Sequence, residues 1–137
     1  MGGDLCHHGG ELRPSPYLPI PAQVHMHLPD FIRSRIGVCP GGTDFQDLNI
    51  KRGRKPNEPF FDPAIASDMV QAIQTIKEAQ LADVQNHVFF VFAHDIALLG
   101  TVDFFPHSAN QWKEKGWKEK TLWKFLADLT SAITFKE

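Results

Sequence analysis

Cysteine is nearly absent from this chain: Cys6 and Cys39 are the only two in 137 residues, and no Cys-x-x-Cys pair exists. Two isolated thiols build no disulfide framework, and a reducing, cytoplasmic setting is the default expectation. No apolar run reaches the ~18 residues that a membrane span requires. Charge of one sign is not in excess either. A formal net charge of −2 and a pI of about 6.4 give no overall drive toward nucleic acid or an anionic membrane. Missing too are an internal repeat, a Gly-x-Ser-x-Gly elbow, a glycine-rich phosphate loop and a cysteine with a recognisable base motif. The start lacks a basic segment followed by an apolar one, so Met1-Gly2-Gly3-Asp4 reads as a chain entering in the middle of a fold.

What is present is enough apolar material for one domain spanning 1–137: 42% hydrophobic and 11% aromatic residues. Val88 to Ala93 is rich in Phe and Val, which predicts a buried strand, and it ends abruptly in His94 and Asp95. Asp4 stands beside two glycines that permit a tight turn. Asp4 and His94 are therefore the candidate metal ligands. Two ligands fall short of the four donors zinc normally takes, so spacing alone supports a partial site. A helix is predicted from Asp62-Pro63 to about Ala82, with Ile65, Met69, Ile73, Ile76 and Ala79 inward and Lys77 and Glu78 outward. A helix followed by a strand is typical of mixed α/β layers. Asn110 to Glu137 reads as a helical turn broken near Gly116, then a helix from about Lys120 to Thr134.

Other clusters have plainer readings. His25-Met26-His27-Leu28-Pro29-Asp30 looks like a metal motif, yet the Asp is one residue too far and no His follows it. His7 and His8 are adjacent on an extended segment and point to opposite sides, so at most one can face the site of Asp4. His87 and His107 near turns fit ordinary hydrogen-bonded histidine. Gly9 to Asp30, with four prolines between Pro14 and Pro21, predicts a long surface loop. The basic tract Lys51 to Pro56 reads as a solvated loop. The tryptophans at 112, 117 and 123, interleaved with lysines, read as packed rings with the lysines reaching water.

Gly2-Gly3-Asp4-Leu5-Cys6-His7-His8-Gly9-Gly10-Glu11-Leu12-Arg13-Pro14-Ser15, followed by Tyr17-Leu18-Pro19, resembles a segment of fungal metallo-β-lactamase superfamily proteins of the lactonase-like branch. Ala93-His94-Asp95-Ile96 is similar to the strand end that carries the last metal-binding histidine of that superfamily. The resemblance implies an α/β fold, an αβ/βα sandwich around a dinuclear zinc site, of which this chain is the C-terminal half. By that likeness Asp4 is the carboxylate bridging two zinc ions, His94 binds the second, and His7 stands where related lactonases carry a substrate-polarising tyrosine. The implied parent is a hydrolase of small lactones or ester-like molecules. With the other ligands before Asp4 missing, the isolated chain is expected to be truncated, inactive and poorly stable. An alternative is a non-catalytic half-domain that self-associates or pairs with an N-terminal half; neither nucleic acid nor membrane is an expected partner.

Overall fold

The computed structural model describes residues 2–26 and 39–133. Its regular elements among these are helical: α1 (Gly9–Leu12), α2 (Gly42–Lys51), α3 (Met69–Asp83) and α4 (Trp117–Thr121), with 3₁₀ segments at Ile96–Leu98 and Lys124–Ala132. No strand or sheet occurs among the described residues, which overturns the α/β sandwich expectation. The reason lies at Val88 to Ala93. Residues 88–92 carry no regular structure and Ala93 opens a turn, because a strand exists only through a ladder with a neighbour. Here the neighbour offers two bonds, Gly2 N–H to the Val91 carbonyl at 2.6 Å and Ala93 N–H to the Gly3 carbonyl at 2.7 Å. No helix among the described residues is long and apolar enough to cross a membrane.

Helix α3 starts at Met69, later than the Asp62-Pro63 signal predicted, because Asp68 is the residue whose carboxylate accepts the Gln71 N–H at 3.0 Å. Ile76 and Ala79 are buried as expected, whereas Ile65 lies outside the helix and is 73% exposed. Gln80 and Asp83 share the buried face with them. At the N-terminus of α2, the Asp44 carboxylate accepts the Gly41 N–H at 2.7 Å.

The first part of the segment expected to be a surface loop instead enters the core, while residues 16, 17, 19, 21–23 and 25 lie exposed as a surface loop would. Gly9 to Ser15 are all buried, and a single turn of helix forms before Pro14. Two apolar clusters flank it. One gathers Phe45 and Leu48 of α2 with Phe60, Phe125, Leu126 and Leu129; the other gathers Cys6, Leu12, Ile76, Ala79 and Phe92. Arg13 ties the end of α1 to α3: its Nε and Nη2 donate to Asp83 Oδ2 and Oδ1, each at 2.6 Å, with both side chains buried.

Near the C-terminus the predicted helix from Lys120 divides into α4, starting at Trp117, and the 3₁₀ segment from Lys124. Residues 134–137 lie outside the described residues, so the end of that helix at Thr134 does too. The tryptophans pack as expected, Trp117 within the fold and Trp112 stacked on Phe89 at 5.5 Å. Lys118 does not reach water. It is buried, and its ammonium donates to the carbonyls of Asp83, Gln85 and Val88 at 2.5, 2.8 and 2.8 Å, closing the C-terminal end of α3.

Candidate metal centre

The two bonds that fail to make a sheet do make a site. They lay Gly2-Gly3 alongside Val91 to Ala93, so the next residue on each side, Asp4 and His94, become neighbours. Glycine is needed at position 2, where a Cβ would stand 2.6 Å from the Phe90 ring. Gly3 takes φ +50°, and the Leu5 N–H closes the turn on the Gly2 carbonyl at 3.0 Å. Cys6 is buried beneath the turn, and the His7 N–H donates to Glu11 Oε2 at 3.1 Å. That sequence of anchors leaves the His7 ring stacked on His94, with centroids 5.3 Å apart and planes 17° apart.

One donor atom from each of Asp4, His7 and His94 lies within 4.8 Å of the others. Asp4 Oδ1 and His94 Nε2 are 3.5 Å apart. Tetrahedral ligands at zinc's ~2.1 Å bond length stand ~3.4 Å from one another, so this edge already has the required span. The Asp4 and His94 side chains are mostly exposed and His7 is half-buried, which leaves the first two free to adjust. The donor set, one carboxylate oxygen and two imidazole nitrogens, suits zinc.

His94 has φ +66°, left-handed for a residue with a Cβ. Such a conformation costs ~1–3 kcal/mol and is retained where surrounding structure over-determines it. On one side Ala93 is tied to Gly3; on the other the Asp95 carboxylate accepts the Ala97 N–H at 3.1 Å and starts the 3₁₀ turn. Burial pushes the Asp95 carboxyl above its ordinary range. Burial, then the Glu11 carboxylate, pushes the Cys6 thiol up to about 12, and Cys6 is not among the three residues whose donor atoms converge.

His8 faces the other way, as adjacency on an extended segment requires. Its Nδ1 accepts the Gly10 N–H at 2.9 Å, which leaves the proton on Nε2 to donate to Asp128 Oδ2 at 3.2 Å. With Phe61 and Phe125 packed edge-on to its ring, His8 is a cap for α1. His107 bonds the Phe104 carbonyl at 3.3 Å, as a turn histidine should. His27 to Asp30 of the discounted histidine motif lie outside the described residues. The sequence paired Asp4 with His94 and, by resemblance, gave His7 a substrate role; the structure instead brings His7 beside them. Glu11 as the anchor of His7 had no sequence signal beyond proximity.

No family model and no solved structure matches this chain. Known proteins do match it. It is 41% identical to a gamma-lactamase of Fusarium pseudograminearum over 95% of this chain and 31% of that protein. A metallo-hydrolase of Annulohypoxylon moriforme is 33% identical over 97% of this chain and 33% of its own length. A cytochrome P450 monooxygenase of Penicillium roqueforti is 36% identical over 97% of this chain but 13% of its own length. This chain thus spans a third or less of each of these relatives. Nearly all of it aligns with gamma-lactamase and metallo-hydrolase sequence, along a third or less of each, and it is similar to a part of metallo-β-lactamase-like proteins.

Proposed function

We propose that this chain contributes one side of a zinc centre in a hydrolase of cyclic amides or esters, with Asp4 and His94 as metal ligands and His7 as the third donor. The observation that carries the reading is the convergence of these three side chains from segments some ninety residues apart. Bound zinc supplies a Lewis acid and a water acidified toward pH ~7. The chain's own part is to hold the donors: the glycine turn sets Asp4, Glu11 sets His7, and the left-handed backbone at residue 94 aims the imidazole. Gamma-lactamase in a relative's name supports a lactam beside the lactone or ester class that the sequence resemblance implies. Three donors do not complete the two-zinc site implied by the resemblance, so the chain by itself is expected to bind zinc weakly and to hydrolyse nothing.

Zinc content after equilibrium dialysis tests the site, with His94→Ala and Asp4→Asn as comparisons. Weak uptake that both substitutions abolish is the expected result; uptake indifferent to them refutes the ligand assignment. Opening of a homoserine lactone or a gamma-lactam by the zinc-treated chain, well above the rate with zinc alone, refutes the inactivity. A second reading rests on the apolar surface following His94: Ile96, Leu99, Phe104 and Phe105 are all more than half exposed, Phe105 at 97%. On this reading the chain is a complementing half-domain whose apolar face self-associates or covers a separate half. Size-exclusion that returns a monomer at every concentration, with or without such a half, sinks it.

A further inference from the structure

A separate cavity of about 700 Å³ opens between α3, the loop 54–63 and the Pro16-Tyr17 turn. Pockets for small organic ligands span ~300–1,000 Å³ and are largely pre-formed. This one has a fixed rim. Asn49 Nδ2 donates to the Glu58 carbonyl at 2.7 Å, Arg54 Nη1 to the Pro59 carbonyl at 2.9 Å, and Arg54 Nη2 pairs with Asp62 at 2.8 Å. Its walls mix apolar and aromatic side chains, Tyr17, Phe61, Ile73 and Ile76 among them, with charged and amide ones.

The charges around the cavity decide what it takes. Each carboxylate lining it is already engaged: Asp62 by Arg54, Glu58 by the Lys55 N–H at 2.9 Å, and Glu11 by the His7 N–H. Two cations are not. Lys55 and Lys77 line the cavity, both are exposed, and among the described residues neither ammonium has a hydrogen-bond or ion-pair partner. Three cations and three carboxylates line the cavity, and among the described residues the Lys55 and Lys77 ammoniums are the charged groups there left without a partner. We propose that this cavity is a binding site for a small amphipathic carboxylate, its ring against Tyr17 and Phe61 and its carboxylate met by the Lys55 and Lys77 ammoniums. The proposal uses none of Asp4, His7 or His94 and stands apart from the zinc reading.

Isothermal titration of the whole metal-free chain with naphthoate, and with naphthamide as its neutral isostere, tests it. Two exposed ammonium contacts predict a preference of up to about tenfold for the carboxylate. The double variant Lys55→Gln, Lys77→Gln should bind both probes equally, with an unchanged circular dichroism spectrum because both side chains are exposed. Tyr17→Ala, at a position 53% exposed, should weaken both probes together. Failure of naphthoate to bind at millimolar concentration overturns the proposal. So does equal affinity of the unmodified chain for the two probes, a preference that survives removal of both lysines, or indifference to the loss of Tyr17.

Discussion

Replacing Asp83 by alanine should be among the most damaging single substitutions in this chain. In the folded protein the Arg13 guanidinium donates twice to that carboxylate at 2.6 Å, and the two side chains are 5% and 2% exposed. Without Asp83, Arg13 keeps one long bond, from Nη1 to the Leu122 carbonyl at 3.4 Å, and water does not reach it to replace the rest. Stripping one partner from a buried pair costs ~3–5 kcal/mol. The whole stability of a domain is ~5–15 kcal/mol. With a urea slope of ~2 kcal/mol/M, the midpoint should fall by ~1.5–2.5 M. Fluorescence of buried Trp117 reports the transition. The comparison is Asp62→Ala, which breaks a pair whose carboxylate is 70% exposed and should cost less than ~1 kcal/mol. Joint replacement of Arg13 by Met and Asp83 by Leu should recover most of the loss, since two apolar side chains leave no buried charge. The reasoning is refuted if Asp83→Ala shifts the midpoint no further than Asp62→Ala does.

Lys118→Met should cost ~1–3 kcal/mol at neutral pH by leaving three carbonyls at the end of α3 without their donor. Burial holds the Lys118 pKa below its ordinary 10.5, so between the two values the unfolded chain binds more protons and stability rises with pH; urea midpoints across the alkaline range should show that rise in the unmodified chain and lose it in the Met variant. Gly42→Ala should destabilise by ~1–3 kcal/mol, because its Cβ would meet the Pro21 carbonyl oxygen at 2.0 Å and a backbone atom cannot turn aside; a thermal melt lowered by several degrees checks it. His94→Gly should relieve the left-handed strain, leaving stability unchanged or higher by ~1 kcal/mol while zinc uptake is lost; a urea midpoint that drops instead refutes the strain argument.

The nearness of Asp4 and His94 was more legible than the fold. Asp4 and His94 stood out because each is a ligand-type residue at a place where the chain must turn, beside glycines or at the end of an apolar run. The helix around Ile76 and Ala79 was legible from periodicity, but its start was not, since Asp62-Pro63 and Asp68 are both competent caps and packing chose the later one. Val88 to Ala93 carried strand composition without forming a strand. Composition describes a segment, whereas a ladder is a relation between two.

By itself, the sequence determined that this chain has apolar material enough for a core and no apolar run of membrane-spanning length, that it resembles metallo-β-lactamase-like proteins, and that Asp4 and His94 are ligand-type residues where the chain turns. Those properties are local: they depend on which side chain sits at a position and on its immediate neighbours. Tertiary structure alone decided that Gly9 to Ser15 is core, that Arg13 finds Asp83, that Lys118 closes α3, and that His7 and not His8 joins Asp4 and His94. Each of these is a contact between distant parts of the chain. Burial raises the cost of leaving a charge or carbonyl unpartnered from almost nothing to ~1–5 kcal/mol, and no residue reveals its burial until the chain has folded around it.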